Sequence, residues 1–256
     1  MITDSFDRSK PIITPGDYYG EQKHILDICI ITFSKVIFQE VLDNYRSQSL
    51  RKEGEIVSCG GNIPIYSFEI EDLKGEAMRI GILLSSIGSV AAGINITECN
   101  WLTGATKFIM FGSAGALNEP LTKGKYVVPA KAYRDEGMSY HYMPPSDYVD
   151  VDMADRVGEI FDEIKVPYVK GPCWTTDTWY RETVEQMKAR VEDGCLAVDM
   201  EVSGAQAVCS FYGWELYCFL VTGDVLGEEE YSLGGLASAN HDLDKLHLGF
   251  EIAKRI

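Results

Sequence analysis

Short, continuous apolar runs that close on Gly, Ser, Thr or Asp constrain this chain more than any other feature. Asp27–Phe33, Arg79–Leu84, Thr106–Phe111, Tyr126–Ala132, Tyr168–Trp174 and Leu216–Val221 are rich in β-branched residues and read as buried strands. Ile56-Val57 and Ile63–Ile70 read as a hairpin around Gly60-Gly61-Asn62. Between these runs the apolar spacing turns helical. Ser34 is placed to cap a helix carrying Val36, Ile37, Val41 and Leu42. Further helices are expected over Val90–Leu102, Asp152–Glu163, Glu182–Arg190, Val202–Phe211 and His241–Ile256. Strands alternating with helices predict a three-layer α/β/α fold. With 256 residues and no repeat, low-complexity tract or linker, the chain is expected to form one domain, residues 1–256. Residues 1–23 are polar and turn-rich, an N-terminal arm suited to contacting a partner.

The net charge of −16 argues against nucleic acid, whose phosphates call for a basic face. It leaves room for a small anion held by a local cation or by backbone amides. The seven cysteines are scattered without C-x-x-C or paired metal spacing, as expected of reduced thiols. His24, His241 and His247 likewise lack metal-ligand spacing and read as surface or helix-face residues, so no metal site is expected. Met1–Arg8 has no apolar signal core, and no run reaches membrane-spanning length. The expectation is a cytoplasmic protein without membrane contact.

Two carboxylates stand at places where α/β sheets bind ligands. Glu201, in Val198-Asp199-Met200-Glu201, enters an apolar helix; Asp224, in Thr222-Gly223-Asp224, leaves a strand. Taken singly, Glu201 could serve only the helix dipole and Asp224 only a turn. Ser85-Ser86-Ile87-Gly88 and Gly112-Ser113-Ala114-Gly115 read as strand-to-helix turns whose amides can approach an anion or a sugar. Neither is a nucleotide P-loop or a dinucleotide fingerprint. Arg134–Tyr142 is too polar for core and reads as a functional loop, with His141 in a pocket or an interface. Thr175–Thr183 sets Trp179 and Tyr180 beside charge, where an aromatic ring can stack on a flat ligand; Asp177 reads as a turn residue. Glu228-Glu229-Glu230 reads as a solvated loop able to cover a ligand.

From Asp27 to the last helix these motifs resemble the nucleoside phosphorylase family, which includes uridine phosphorylase, hexameric purine nucleoside phosphorylase and the adenosylhomocysteine nucleosidases. Ser86–Ala92 resembles the nucleosidase glycine turn, and Gly112-Ser113-Ala114-Gly115 the family's G-[ST]-x-G loop. Arg134-x-x-Gly137-x-Ser139-x-His141-Tyr142 looks like a uridine phosphorylase segment, and Met200-Glu201 matches the pair that holds the ribose hydroxyls. The resemblance implies a central mixed, twisted sheet, no organic cofactor, phosphate as co-substrate, and a homo-oligomer, hexamer or dimer. It implies Glu201, Met200 and Ser113 at the ribose, and Trp179, Gly115 and Asp224 at the base. Ser113 and Gly112 would hold phosphate. Asp224 would protonate a purine as the glycosidic bond breaks, and Glu201 would favour positive charge on the sugar.

Departures from the pattern carry as much information. Thr183 and Glu185 stand where uridine phosphorylases read uracil with Gln and Arg, which weakens the uracil reading, and Asp224 favours a purine. Met110 and the segment Ser34–Ile37 stand where phosphorylases hold phosphate with arginines. Lys35 and Arg181 are the candidates to supply that positive charge, with Arg134 a third. The leading expectation is phosphorolysis of a purine-favoured ribonucleoside to free base and ribose 1-phosphate. Uridine phosphorolysis, a hydrolytic nucleosidase using Asp17 or Glu21, and a non-catalytic nucleoside-binding protein are the alternatives.

Overall fold

The computed structural model describes residues 4–227 and 230–256. Glu228 and Glu229 of the expected covering loop therefore lie outside the described residues. In chain order the strands are β1 (Ile28–Thr32), β2 (Arg51–Ile56), β3 (Ile63–Glu71), β4 (Ala77–Leu84), β5 (Lys107–Ala116) and β6 (Tyr126–Asp135). They continue as β7 (Tyr148–Asp150), β8 (Tyr168–Thr176), β9 (Ala197–Asp199), β10 (Glu215–Leu226) and β11 (Tyr231–Ser232). The helices are α1 (Gly16–Tyr19), α2 (Lys35–Tyr45), α3 (Ser89–Thr103), α4 (Glu119–Thr122) and α5 (Ser139–Tyr142). After them come α6 (Ala154–Glu163), α7 (Val184–Glu192), α8 (Val202–Tyr212), α9 (Leu236–His241) and α10 (Asp244–Ala253).

One mixed sheet carries every strand, and its middle curls into a ring. β5 pairs with β10 in parallel and with β9 antiparallel. β9 runs parallel to β8, β8 parallel to β6, and β6 antiparallel to β10, which closes the circuit. Beyond β5 the sheet opens into a wing, β1-β4-β3-β2. Register at the ring's mouth decides what meets there. Gly115 lies opposite Asp224 on one side and Val198 on the other, and Thr175 lies opposite Asp199.

Helices pack in two groups. α3 and α5 both pack against α8, while α6 packs against α10. On the α6 side, Phe219 sits among Phe111 and Phe161, each 5.4 Å away between ring centres, and Tyr126 at 5.7 Å. Offset or edge-on aromatic contacts at these separations add to the burial of the rings themselves. Among the described residues no helix is long and apolar enough to cross a membrane.

The structure moves several expected boundaries. Gly112–Ala116 is not a turn: β5 runs through it, because pairing with β10 continues from Phe111 to Ala116. β10 likewise runs through Thr222-Gly223-Asp224, with a bulge between Thr222 and Asp224 that lodges one extra residue. The closing helix expected from His241 begins instead at Asp244, and His241 ends a separate helix, α9. Asp242 is extended (φ −63°, ψ 113°) and its Oδ1 accepts from the Asp244 N–H at 3.0 Å, so a turn separates α9 from α10.

The aromatic cluster yields a stability prediction. Phe219 is fully buried, so Phe219→Ala should cost about 3–5 kcal/mol. Urea titration should show a lower midpoint with an unchanged m-value; a midpoint within error of wild type would contradict the packing described.

Candidate active site

Asp199 prepares the site. Its Oδ2 accepts from the N–H groups of Glu201 (2.9 Å) and Val202 (2.7 Å), and its Oδ1 from the Thr175 hydroxyl (2.8 Å). Asp199 therefore satisfies the amide that opens α8 and Thr175 Oγ1 the next, from Ser203 at 3.1 Å, while Glu201 makes no capping bond to its own helix. The Glu201 side chain reaches across to α3, where Oε1 accepts from the Gly88 N–H at 2.6 Å. Gly88 has φ +101°, a conformation that L side chains resist. The Ser89 hydroxyl donates to the Met200 carbonyl at 2.9 Å, so the starts of α3 and α8 are tied together at the mouth of the ring.

Asp224 reaches the same mouth from β10. Its Oδ2 accepts from the Tyr231 hydroxyl of β11 at 2.9 Å. Only Gly fits opposite it: a Cβ on Gly115 would lie 2.9 Å from Val198 Cγ1 and 3.5 Å from Asp224 Oδ2. Between these acids opens a cleft of about 260 Å³. It is lined by Gly112, Ser113 and Gly115 of β5, Met200 and Glu201 before α8, Trp179, and Asp224. Every residue expected at ribose or base is thus brought to one cavity.

Lys35 and Arg181 are not. Lys35 begins α2 with an exposed side chain, and Arg181 ends the turn after Trp179, also exposed; neither lines the cleft. Arg134 is buried, but its guanidinium is spent on the Ser139 hydroxyl (2.8 Å) and the Pro144 carbonyl (2.7 Å). The polar groups of the Arg134–Tyr142 segment are taken up by structural bonds: Glu136 accepts from the Ser139 amide and from the Ser203 hydroxyl of α8 at 2.9 Å. His141 is exposed and outside the cleft, and Asp177 accepts from the Gly137 N–H at 3.0 Å. Asp17 caps its own turn through Thr14, and neither it nor Glu21 lines the cleft.

Residues without a sequence motif complete the cavity. Glu182, expected as a helix start, lines the cleft beside Trp179 and Asp224. Asn240 and His241 enter from α9; Asn240 Oδ1 accepts from the Ser113 hydroxyl, and His241 Nδ1 lies 2.9 Å from Ser34 Oγ. His241 is exposed, as expected, and also lines the cleft. Behind Asn240, Lys245 is 1% exposed and donates to the Ala239 and Asn240 carbonyls at the end of α9. With Thr32, Ser34, Gly112 and Ser113, Lys245 lines a side chamber of about 20 Å³ that adjoins the cleft. Burial pulls the Lys245 ammonium down to about 8, with Asp242 acting against it.

The cleft is strongly acidic. Glu182, Asp199, Glu201 and Asp224 line it, and among the described residues no Lys or Arg does. Burial, with the Asp199 charge adding, pushes the Glu201 carboxyl up to about 8. Burial, then the charges of Asp224 and Asp199, push Glu182 up to about 7. Burial also raises Asp199, against the pull of its hydrogen bonds. Such a cavity can stabilise positive charge on a bound group and can hand over a proton near neutrality.

A family model described as the phosphorylase superfamily matches residues 27–246. The chain belongs to that superfamily, the nucleoside phosphorylases and nucleosidases, and is an enzyme of that class. Among curated proteins it is 25% identical over 154 residues to a purine nucleoside phosphorylase DeoD-type of Colwellia psychrerythraea, covering 59% of this chain and 65% of that protein. A purine nucleoside phosphorylase DeoD-type of Bacillus cereus is 24% identical over 183 residues, covering 70% of this chain and 77% of that one. The chain thus spans just under two thirds of the Colwellia protein and rather more of the Bacillus one. Among solved structures, an AMP nucleosidase from Bacteroides thetaiotaomicron superposes with TM-score 0.65 at 18% identity, over 90% of this chain and 88% of that one. That likeness speaks for the fold, a mixed α/β architecture around a central sheet.

The raised Glu201 carboxyl makes a pH prediction. A group raised on folding contributes its stability below its unfolded value, about 4.5, and loses it as pH rises through about 8. Wild-type Tm should therefore fall across that window more steeply than the Tm of Glu201→Gln. Parallel curves would show that the Glu201 carboxyl titrates normally.

Proposed function

We propose that the chain cleaves the N-glycosidic bond of a purine ribonucleoside, passing the ribosyl group to phosphate and releasing free base and ribose 1-phosphate. The observation that carries this reading is the meeting of Glu201 and Asp224 in one cleft that also holds Ser113, Met200 and Trp179. Glu201 Oε1 is held by Gly88, which leaves Oε2 to accept from the ribose hydroxyls. That contact strengthens as positive charge builds on the sugar. Trp179 offers a flat face to the base, and Asp224, steadied by Tyr231, can protonate it as the bond breaks. Phosphate would lie against Gly112 and Ser113, with Lys245 replacing Lys35 and Arg181 as the cation behind it. No cofactor or metal enters this scheme. A homo-oligomer, hexamer or dimer, belongs to the same reading; the arm's Ile12 and Ile13, both exposed, are its contact candidates.

Hydrolysis is the second reading. The cleft's lining holds four carboxylates and neither Lys nor Arg, which opposes a dianion. The side chamber's roughly 20 Å³ suits a single water. His241, oriented by Ser34, would then take the water's proton.

Inosine and adenosine incubated with and without phosphate distinguish the two. Phosphorolysis predicts base release only with phosphate, together with ribose 1-phosphate; equal release without phosphate, giving free ribose, overturns it. Under phosphorolysis, Lys245→Met should raise the phosphate KM roughly ten- to a hundredfold while the nucleoside KM moves little. Asp224→Asn should lower kcat by about 10²–10⁴-fold. A kcat within a few-fold of wild type would remove Asp224 from the proton transfer.

A further inference from the structure

We propose that Glu182 and Asp224 work as a pair sharing one proton at the base end of the cleft, and that this pair selects 6-aminopurine over 6-oxopurine nucleosides. The inference rests on the purine reading above and adds to it the identity of the base.

Geometry places the pair. Glu182 follows the Trp179–Arg181 turn and lines both the cleft and a second, largely apolar chamber of about 460 Å³ beyond it. It therefore stands at the boundary where a ring resting on Trp179 would present its far edge. Asp224 lines the same end, and its Oδ2 is occupied by the Tyr231 hydroxyl. The Glu182 carboxyl takes no hydrogen bond from any described residue, so both of its oxygens are open to a ligand. The charged and titratable groups facing it are Asp224 of β10, Asp199 of β9 and Tyr231 of β11, with Glu201 across the cleft. Burial, then the charges of Asp224 and Asp199, disfavours a negative charge at Glu182, which puts its titration at about 7. Two carboxyls crowded into one end of the cleft, with Glu182 raised to about 7 by burial and by the Asp224 charge, hold one proton between them near neutrality.

A pair with one proton presents one donor and one acceptor. The N7 edge of an adenine nucleoside presents the complement: N7 accepts and the 6-amino group donates. The same edge of a hypoxanthine nucleoside presents two acceptors, N7 and O6, and so sets O6 against a carboxylate. A buried polar group facing the wrong partner costs enough to discriminate about tenfold or more.

The test uses 9-methyladenine and 9-methylhypoxanthine, which have no ribosyl bond to break and carry no hydrogen on N7. Calorimetric titration of the full chain at neutral pH should show 9-methyladenine binding at least about tenfold more tightly. In Glu182→Gln the ratio should fall to within about threefold, and adenine binding should lose its dependence on pH around 7. A Glu182 that only supports the fold would weaken both ligands together and leave their ratio unchanged; that result overturns the proposal. Equal binding of the two bases by wild type overturns it as well, while leaving purine cleavage intact. Binding of neither base, together with no release of purine from any nucleoside, overturns this proposal and the function it rests on.

Discussion

Three hydrogen bonds to one buried carboxylate hold the candidate site together. Asp199 accepts from Thr175 on the neighbouring strand and from the amides of Glu201 and Val202, where the next helix begins. By capping α8 itself, Asp199 releases Glu201 from the task its position would otherwise impose. Glu201 is then free to bridge to α3 and to face the cleft. A second amide-rich helix start, at Gly88, supplies the contact that steadies it. The mouth of the ring is thus an arrangement of two helix N-termini and two strand ends, each tied to the next by a named bond. The ring closure of β10 onto β5 brings Asp224 to the same place through a bulge rather than a turn.

The cleft carries an electrostatic tension that follows from these positions. Four carboxylates in a partly dry cavity cannot all be ionised near neutrality, and burial raises Glu201, Glu182 and Asp199 accordingly. Negative potential of this kind favours a sugar acquiring positive charge. It opposes an anionic nucleophile, and the cation that answers it, Lys245, stands behind Asn240 rather than in the cleft itself. The choice between phosphate and water turns on how far that buried ammonium, with the Gly112 and Ser113 amides, reaches across the Asn240–Ser113 contact.

Much of the architecture was legible in the chain. Five-residue apolar runs such as Ile28–Thr32 have no polar face to show and had to be buried strands. The positions of Glu201 and Asp224 followed from a carboxylate opening a helix and another closing a strand. What local pattern could not show was pairing. Gly112–Ala116 has the composition of a turn but is held extended by β10, a partner a hundred residues away in the chain. His241 and Lys245 were read as parts of one long helix, because the turn at Asp242 rests on a single side-chain bond to Asp244, and Asn240 had no reading at all. Lys35 and Arg181 were near the right motifs in sequence but are exposed and do not line the cleft. Glu182 had a helix-start reading that was locally sufficient, and nothing near it in sequence announced Asp224 as a neighbour.

The central claim is the orientation of a nucleoside along this cleft, with ribose at Glu201 and base at Asp224. A crystal structure of the protein with a purine ribonucleoside analogue resistant to cleavage, grown with phosphate, tests it most directly. The account predicts ribose hydroxyls within hydrogen-bond distance of Glu201, the purine against Trp179, and its N7 edge toward Asp224 and Glu182. A ligand lying in reverse, with its base at Glu201, or seated wholly in the apolar chamber beside Tyr180, would contradict it.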